Sequence, residues 1–325
     1  MREFPFELAL CAHLESAEEA VVGRQLGGSV GGTRVIDVAL VYPGPAFEER
    51  AAITAETIPA AAIEADVGVG EARPLREAFP DTSREWARKT VETAVGVGFF
   101  EHERRGGREY VRQTVRYPDW FDRIVGVENK PDLDRPGDLE LQLRKDVSLG
   151  LLDEVVLATA SHVTGAHLNR IPEEVGVWRF DPETGERRVI REPTALDSTG
   201  PGIDVLDTFP ARTDVRPATG AEKARKRRRL AERAYGKGWR IPAESFPGCA
   251  RCTVGERFDA GALPECTWKG RLIDPARECG PSCPEYESAD PPIADVTGAR
   301  ARGSIWEADP AGRVRRQSGL GRFLE

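Results

Sequence analysis

The sequence has no uninterrupted apolar stretch of about 18 residues, the length that an α-helix needs to cross a membrane. Its first residues also lack the apolar segment of a secretory signal, because Arg2, Glu3 and Glu7 interrupt it. These absences argue against a membrane protein and against a secreted one. We therefore expect a cytoplasmic protein that does not act at a membrane.

Lysine is also scarce. The 325 residues include seven lysines, whereas arginine, aspartate and glutamate are abundant and the formal net charge is −8. A negative overall field repels phosphate, which excludes indiscriminate nucleic-acid binding and requires any such contact to use local basic patches. The balance is typical of a halophilic protein. In that setting Lys130 and Lys145 stand out, although Lys145 equally suits the surface of a helix.

An acid and a lysine lie two positions apart at the end of a short apolar run, Arg123-Ile-Val-Gly-Val-Glu128-Asn-Lys130. Residues i and i+2 of a β-strand point to the same face, so a strand would present Glu128 and Lys130 together. A carboxylate can hold a divalent metal there while the ammonium orients or deprotonates a water. This pair therefore indicates hydrolytic chemistry.

A second acid, Asp37, interrupts an otherwise aliphatic run, Thr33-Arg-Val-Ile-Asp37-Val-Ala-Leu-Val-Tyr42. Buried carboxylates are rare unless they are paired or bound to a metal. The alternative is a hydrogen-bonded aspartate or one on an edge strand. Together with Glu128 and Lys130, Asp37 favours a metal site.

The succession of helix, strand with Asp37, strand with Glu128-x-Lys130, helix and strand resembles the PD-(D/E)XK nuclease superfamily, also called restriction-endonuclease-like. The resemblance implies an α/β fold with a mixed sheet, built from residues 1–50 and 119–192. It extends to an uncharacterised haloarchaeal family, which supplies no substrate.

The resemblance also implies a reaction, the metal-dependent hydrolysis of DNA phosphodiester bonds in repair, recombination or defence. Mg²⁺ or Mn²⁺ would be bound by Asp37 and Glu128, with the backbone carbonyl of Asn129 as a third ligand. Lys130 would position the water. The implied catalytic residues are Glu7, Asp37, Glu128, Lys130 and Gln142.

About ninety residues separate Asp37 from Glu128, where the superfamily usually needs only a hairpin. The inserted segment, 51–118, contains three helix-like stretches, the last capped by Ser83, and two strand-like runs around Gly106-Gly107. This pattern resembles a winged helix, which commonly contacts DNA through its third helix and its wing. The alternatives are a small packing subdomain with solvated arginines and a protein-contact module. The predicted DNA-binding residues are Arg84, Arg88, Lys89, Arg104, Arg105 and Arg108.

Five of the six cysteines fall within about 35 residues near the C-terminal end. A CxxC pair chelates one metal ion through both sulfurs, and a second close pair completes a tetrahedral thiolate site for Zn²⁺. Four thiolates also suit an iron–sulfur cluster. Disulfides and free thiols are the alternatives, and a cytosolic location disfavours disulfides. The predicted ligands are Cys249, Cys252, Cys266, Cys279 and Cys283.

The remaining cysteine, Cys11, is either a core thiol or a remote ligand. One N-terminal cysteine combined with several C-terminal ones loosely resembles certain iron–sulfur nucleases of CRISPR adaptation and recombinational repair.

The length predicts two or three domains. Residues 193–240 are predicted to be a linker, rich in Pro, Gly, Thr and Asp up to about 219, followed by a basic helix whose charges either follow a DNA backbone or are solvated. Residues 241–325 form the predicted cysteine-rich metal module, which ends in a hairpin over 304–315. A non-catalytic DNA-binding protein or regulator on a nuclease-like scaffold, and an RNA-processing enzyme, remain alternatives. The sequence leaves the oligomeric state open.

Overall fold

The structure, a computed structural model, describes residues 2–310. These residues form ten α-helices and fourteen β-strands. The helices are α1 (Glu3–Ala17), α2 (Phe47–Ala51), α3 (Ala60–Ile63), α4 (Leu75–Ala78), α5 (Arg84–Gly96), α6 (Leu139–Leu149), α7 (Gly165–Leu168), α8 (Gly220–Lys237), α9 (Pro275–Glu278) and α10 (Val296–Gly303). The strands are β1 (Val21–Gly27), β2 (Val35–Pro43), β3 (Arg73–Pro74), β4 (Phe100–Arg105), β5 (Arg108–Gln113), β6 (Phe121–Asn129), β7 (Glu154–Thr159), β8 (Gly176–Phe180), β9 (Arg187–Arg191), β10 (Gly202–Phe209), β11 (Arg212–Ala218), β12 (Cys252–Arg257), β13 (Ala260–Cys266) and β14 (Arg271–Leu272).

The chain divides into two compact units. The first combines the residues up to Pro43 with Asp122–Trp306, and the second is formed by Gly44–Phe121. Both contain helices and strands, so the predicted mixed α/β class is confirmed. Residues 241–306, which carry the clustered cysteines, belong to the first unit.

A six-stranded mixed sheet forms the centre of the first unit, in the order β1-β2-β6-β7-β8-β9. Strands β1 and β2 are antiparallel, β6, β7 and β8 run parallel, and β9 is antiparallel to β8. Parallel neighbours need a crossover, and α6 supplies it between β6 and β7. The strands are rich in valine and other aliphatic residues, which pack well on a pleated surface.

Helix α1 is buried on nearly every side. Phe6, Leu10 and Leu14 have no exposed surface. The helix shares one core cluster with Val127 of the central sheet and Leu263 of the C-terminal sheet β12-β13-β14. Because a helix that is apolar all round belongs inside a core, α1 packs against both sheets, and its buried Glu7 lies at the end of the central one.

Helix α8 covers the edge strand β1. A Cβ added at Gly23 would lie 2.8 Å from the Cβ of Ala234, so helix and strand approach as closely as a glycine allows. The Thr219 side chain accepts from the backbone N–H of Glu222, and the Glu222 carboxylate accepts from that of Thr219, which caps the helix from both sides. The predicted basic helix is thus formed, and it runs from Gly220 to Lys237.

Residues 202–218 lie in the segment predicted to be a linker, but β10 and β11 pair there as an antiparallel hairpin. That part of the prediction was wrong. About half of the side chains of these strands are exposed, including the apolar Ile203, Phe209 and Val215, so apolar and buried positions do not coincide there. Their anchor is the buried Asp204, whose Oδ2 accepts from the N–H groups of Val30 and Gly31 at 2.9 and 2.6 Å.

The second unit contains α2 to α5 and a three-stranded sheet in the order β3-β5-β4. Its core includes Ile58, Ala94, Phe99 and Val111. Ser83 caps α5 by accepting from the N–H of Trp86. Strands β4 and β5 turn through Gly106 and Gly107, both with positive φ, which suits glycine.

The predicted hairpin over 304–315 extends outside the described residues. The residues before it form α10. Among the helices of residues 2–310, none combines the length and apolar character that a membrane crossing requires.

Candidate active site

Three acids from separate segments meet where β2 and β6 lie side by side against α1. The side chain of Asn129 connects two of them, because its Nδ2 donates to Oε2 of Glu7 at 2.6 Å. The backbone N–H of Asn129 donates to Oδ2 of Asp37 at 3.0 Å. The structure therefore brings Glu7 and Asp37 together beside the residue that follows Glu128.

Gln25 adds a second link between the same two acids. Its Nε2 donates to Oε2 of Glu7 at 2.9 Å and to Oδ1 of Asp37 at 3.2 Å. Gln25 has φ of 53°, a conformation that non-glycine residues adopt rarely. It falls where the β1–β2 register passes from Arg24 to Leu26. Because of this irregularity, the side chain of Gln25 on the edge strand β1 points toward Glu7 and Asp37.

Glu128 belongs to the same acidic cluster as Glu7 and Asp37, but it has a different partner. Arg34, just before β2, donates through Nη2 to Oε2 of Glu128 at 2.6 Å and to Oδ2 of Asp146 at 2.6 Å. Its Nε also donates to Oδ1 of Asp146 at 3.0 Å, giving a two-point contact of the kind that holds a guanidinium firmly. All three side chains are less than 10% exposed. Arg34 thus fixes Glu128 against α6.

The carboxyl groups of this cluster resist ionisation. Burial, with the neighbouring Asp37 as the next cause, raises the pKa of Glu128 to about 8 against the opposing effect of Arg34. Burial also raises the pKa of Glu7, Asp37 and Asp146. Three buried carboxyl groups and the half-buried Asp37 share two guanidinium groups, those of Arg34 and of Arg24, which lies 2.8 Å from Glu7. Such an excess of buried acid marks functional sites.

Oxygen ligands of this kind are those that Mg²⁺ and Mn²⁺ prefer. Within residues 2–310, however, no group of three or more histidine, cysteine, aspartate or glutamate side chains stands in position to hold a metal ion. The donor set therefore suits a hard divalent ion, but ligation needs side chains such as Glu128 to turn from their present partners.

Lys130 and Gln142 lie at the margin of the cluster. Lys130 follows the last residue of β6, and its ammonium pairs with Glu3 in the first turn of α1. Its backbone N–H still donates to the carbonyl of Ala158 in β7 at 2.9 Å, but the ammonium of Lys130 and the carboxylate of Glu128 have different partners. Gln142 precedes Asp146 by one helical turn and so shares its face of α6.

Sequence reasoning missed Arg34, Asp146, Gln25 and Arg24. Asp146 did leave a signal, because it follows Leu139 and Leu143 on the buried face of α6, where the helical period calls for an apolar residue. Arg34 left none, since an arginine before a strand is ordinary. Its two acidic partners are 94 and 112 residues away.

The five C-terminal cysteines line one small pocket. Cys252 and Cys266 face each other across β12 and β13, and the N–H of Cys252 donates to the carbonyl of Cys249 at 2.9 Å, which closes a tight turn. Burial and the neighbouring thiols Cys279, Cys249 and Cys266 raise the pKa of Cys252 to about 12. Burial and the same kind of neighbours raise the pKa of Cys279 to about 11.

All six cysteines are free thiols, and Cys11 lies apart from the other five in the core of α1. Burial raises its pKa, with Glu7 as the next cause. Four thiolates are the set that Zn²⁺ and iron–sulfur clusters prefer. In the described chain the sulfurs do not yet stand at ligand positions around one point.

The predicted DNA-binding residues of the second unit fall into two groups. Arg84 and Arg88 pair with Glu109, and Arg105 pairs with Glu103. No ion pair within residues 2–310 involves the other three, which are all exposed: Lys89, Arg104 and Arg108.

Comparison with known proteins gives a family and no further relative. No curated protein and no solved structure matches the chain. A match to one family covers residues 21–288, a stretch that contains Asp37, Glu128 and the five clustered cysteines and leaves out α1 with Glu7. The chain therefore belongs to the family of unknown function DUF5787.

Proposed function

We propose that the protein is a metal-dependent DNA nuclease of the PD-(D/E)XK type. The observation that carries the proposal is the convergence of Glu7, Asp37 and Glu128 at one end of β2 and β6, with the pKa of each carboxyl raised by burial. The succession α1, β2, β6, α6 and β7 supports it, because it follows the core order that the resemblance implies, with β1 as an additional strand before β2.

Asp37 and Glu128 would hold Mg²⁺ or Mn²⁺, together with the backbone carbonyl of Asn129, and Glu7 would add a further carboxylate. A divalent ion at such ligands activates water and stabilises the negative charge on the phosphate in the transition state. Asn129 and Gln25 orient Glu7 and Asp37 through their amide N–H groups. Lys130 orients the attacking water once its ammonium leaves Glu3.

Cleavage of labelled single- and double-stranded DNA, with Mn²⁺ or with EDTA, tests this proposal on protein purified anaerobically at high salt. We expect cleavage that requires the metal. Asp37→Asn, Glu128→Gln and Lys130→Ala should each lower the rate at least about 100-fold. The exposed Glu19→Gln is the matched charge control and should cleave normally.

Circular dichroism of each variant shows whether a lost activity reflects unfolding. Absence of cleavage by the wild type, or full cleavage by the folded Asp37→Asn and Lys130→Ala variants, contradicts the nuclease proposal. The same assay on RNA of equal sequence decides between a deoxyribonuclease and an RNA-processing enzyme.

We further propose that the second unit is a winged helix. The order of its elements supports this: α2, α3, the short β3, α4, α5 and then the β4–β5 hairpin. The pairing of β3 with β5 supports it as well. Because Glu109 pairs with Arg84 and Arg88, the DNA contacts of this unit would come chiefly from Lys89, Arg104 and Arg108.

The third part of the proposal is a metal site formed by the cysteine pocket. Cys249, Cys252, Cys266 and Cys279 would bind Zn²⁺ or an iron–sulfur cluster, and Cys283 lies beside Cys279 as a fifth thiol. The facing positions of Cys252 and Cys266 and the tight turn at Cys249 support this assignment. It excludes Cys11, which belongs to the core cluster of α1.

A second function, a non-catalytic DNA-binding protein or regulator, is favoured by one observation. Glu128 contacts Arg34 and Lys130 contacts Glu3, so the acid and the lysine that the nuclease needs have other partners. Metal dependence separates the two functions, because a scaffold binds DNA equally well in Mn²⁺ and in EDTA and cleaves it in neither.

A further inference from the structure

Helix α8 displays a stripe of basic side chains on its outer face. At about 100° per residue, five of them fall within a sector of about 120° and span about 18 Å along the axis. Four are exposed and Lys226 is partly buried. The basic stripe consists of Arg225, Lys226, Arg229, Arg233 and Lys237.

Two other basic residues of the helix, Lys223 and Arg227, have a structural role. Lys223 is fully buried and its Nζ donates to the carbonyl of Asp197 at 2.7 Å. Arg227 donates to the carbonyl of Leu151 and to Oδ2 of Asp153, both at 2.8 Å. These contacts fix α8 to the body of the unit. The basic stripe takes no part in these contacts, and most of it lies on the opposite side of the helix from Arg227.

Like charges in the basic stripe act on one another. Burial lowers the pKa of Lys226, and Arg229 and Arg233 lower it further. Burial lowers the pKa of Lys237 as well, followed by Arg24 and Arg233. A concentrated row of cations is unusual in a chain of net charge −8. Such local fields serve to attract anions.

The C-terminal end of the basic stripe adjoins the acidic cluster. Nζ of Lys237 lies 3.4 Å from the carbonyl oxygen of Arg24, and the guanidinium of Arg24 lies 2.8 Å from Oε1 of Glu7. At the other end, Lys226 reaches the turn after β1, where its Nζ would lie 3.4 Å from a Cβ added at Gly27. A polyanion lying along the helix would therefore lead toward Glu7.

We propose that the basic stripe of α8 binds the phosphate backbone of the DNA substrate and directs one strand toward the acidic cluster. This inference rests on the proposed function. One phosphate follows another every 3.4 Å along one strand of a duplex, so about 18 Å of basic stripe covers about five phosphates. A membrane surface fits this helix less well than DNA does. A helix that lies on a bilayer inserts its apolar face into the lipid, whereas the apolar face of α8 packs on β1.

Fluorescence anisotropy with a labelled single strand and a labelled duplex tests this inference, in EDTA and over a series of KCl concentrations. The test variant combines Arg225→Gln, Lys226→Gln, Arg233→Gln and Lys237→Gln, because glutamine keeps helix propensity while it removes charge. The control removes four exposed arginines elsewhere in the first unit and so changes the net charge equally. It combines Arg144→Gln, Arg170→Gln, Arg212→Gln and Arg302→Gln.

We expect the test variant to bind DNA at least about tenfold more weakly, with a salt dependence reduced by about three to four ions for the duplex. The control should stay within about twofold of the wild type. If the test variant binds as well as the wild type while the wild type still cleaves, the basic stripe is not the DNA path and the nuclease proposal stands. Equal weakening of both variants also overturns the inference, since net charge alone would explain it.

Two further outcomes would show that the basic stripe does not guide DNA to the acidic cluster. A wild type that neither binds nor cleaves DNA overturns this inference together with the proposed function. Binding to phosphatidylserine vesicles that only the test variant loses, with DNA binding unchanged, would identify α8 as a membrane-surface helix instead.

Discussion

The acidic cluster and the cysteine pocket of the first unit differ in what surrounds their ligating atoms. The carboxylates of Glu7, Asp37 and Glu128 accept hydrogen bonds from amides and guanidinium groups of the chain itself. The sulfurs of the cysteine pocket lie near one another, and the cations that interact with them are Lys269 near Cys279 and Arg271 near Cys266. One site is thus held by protein donors, and the other has few of them.

This difference determines how each site responds to its surroundings. Glu128, with a pKa of about 8, changes its charge near neutral pH. Cys252 and Cys279, with pKa values of about 12 and 11, stay protonated there unless a soft metal displaces the protons. We therefore expect the acidic cluster to respond to pH and to changes in Arg34, and the cysteine pocket to respond to metal.

The largest effect is expected from removing the internal cation of the acidic cluster. Arg34→Gln leaves Glu128 and Asp146 buried without their guanidinium, and loss of one partner of such a pair lowers the free energy of unfolding by about 3–5 kcal/mol. Urea denaturation in EDTA measures the loss. Arg144→Gln, which breaks an exposed pair with Glu140, should lower it by less than about 1 kcal/mol.

The same denaturation experiment in Mn²⁺ gives a second test of this prediction. If the carboxylates bind a divalent ion, excess Mn²⁺ should restore up to about 2.7 kcal/mol at 100 times its dissociation constant, and it should do so for Arg34→Gln more than for the wild type. Equal stability of Arg34→Gln and Arg144→Gln in EDTA would show that Arg34 does not hold the cluster together.

The next effect in size concerns the cysteine pocket. Cys252→Ser should remove bound zinc or iron and lower the melting temperature by about 5–10 °C, as expected for the loss of a few kcal/mol in a unit of this size. Cys283→Ser is the matched control and should keep the metal, because the thiols that act on Cys252 are Cys279, Cys249 and Cys266. Metal content by mass spectrometry and thermal unfolding provide the measurements.

A wild type that carries no metal after anaerobic purification, or a Cys252→Ser variant with full metal content, contradicts this assignment. Loss of metal in Cys283→Ser alone would move the fourth ligand from Cys279 to Cys283.

Much of the candidate site follows from local rules. The lone acid in an aliphatic strand and the acid at the end of another strand singled out Asp37 and Glu128, which lie near each other in the structure, and Glu7 of α1 joins them. Each acid stands out because the pattern around it involves residues within a few positions of one another. The α/β fold class was implied by the resemblance to the PD-(D/E)XK superfamily, which rests on the order of the helices and strands that carry these acids.

The partners of these acids do not follow from local rules. Arg34 contacts Glu128 and Asp146, residues that only the assembled sheet and α6 bring near it. Lys130 lies just beyond β6, and its ammonium pairs with an acid in the first turn of α1. The β10–β11 hairpin is held by Asp204 binding a distant glycine-rich turn, and a segment with about half of its side chains exposed gives no periodic signal of it.

The last difference between the two sites is their pH dependence. The pKa of Glu128 is about 8 in the folded chain and about 4.5 ordinarily, so between these values the folded state binds more protons than the unfolded state. The stability that the protonated Glu128 contributes is complete below about pH 4.5 and is lost as the pH rises through 8 in EDTA. The thiols do not titrate in this range.

Denaturation at successive pH values, with wild type and Glu128→Gln, measures this difference. Glu128→Gln should give the flatter profile, because glutamine has no proton to lose. Saturating Mn²⁺ should reverse the slope for the wild type, since an ion at the carboxylates favours their ionised forms. A wild-type profile identical to that of Glu128→Gln in both EDTA and Mn²⁺ would mean that burial does not raise the pKa of Glu128 and that Glu128 does not bind the metal.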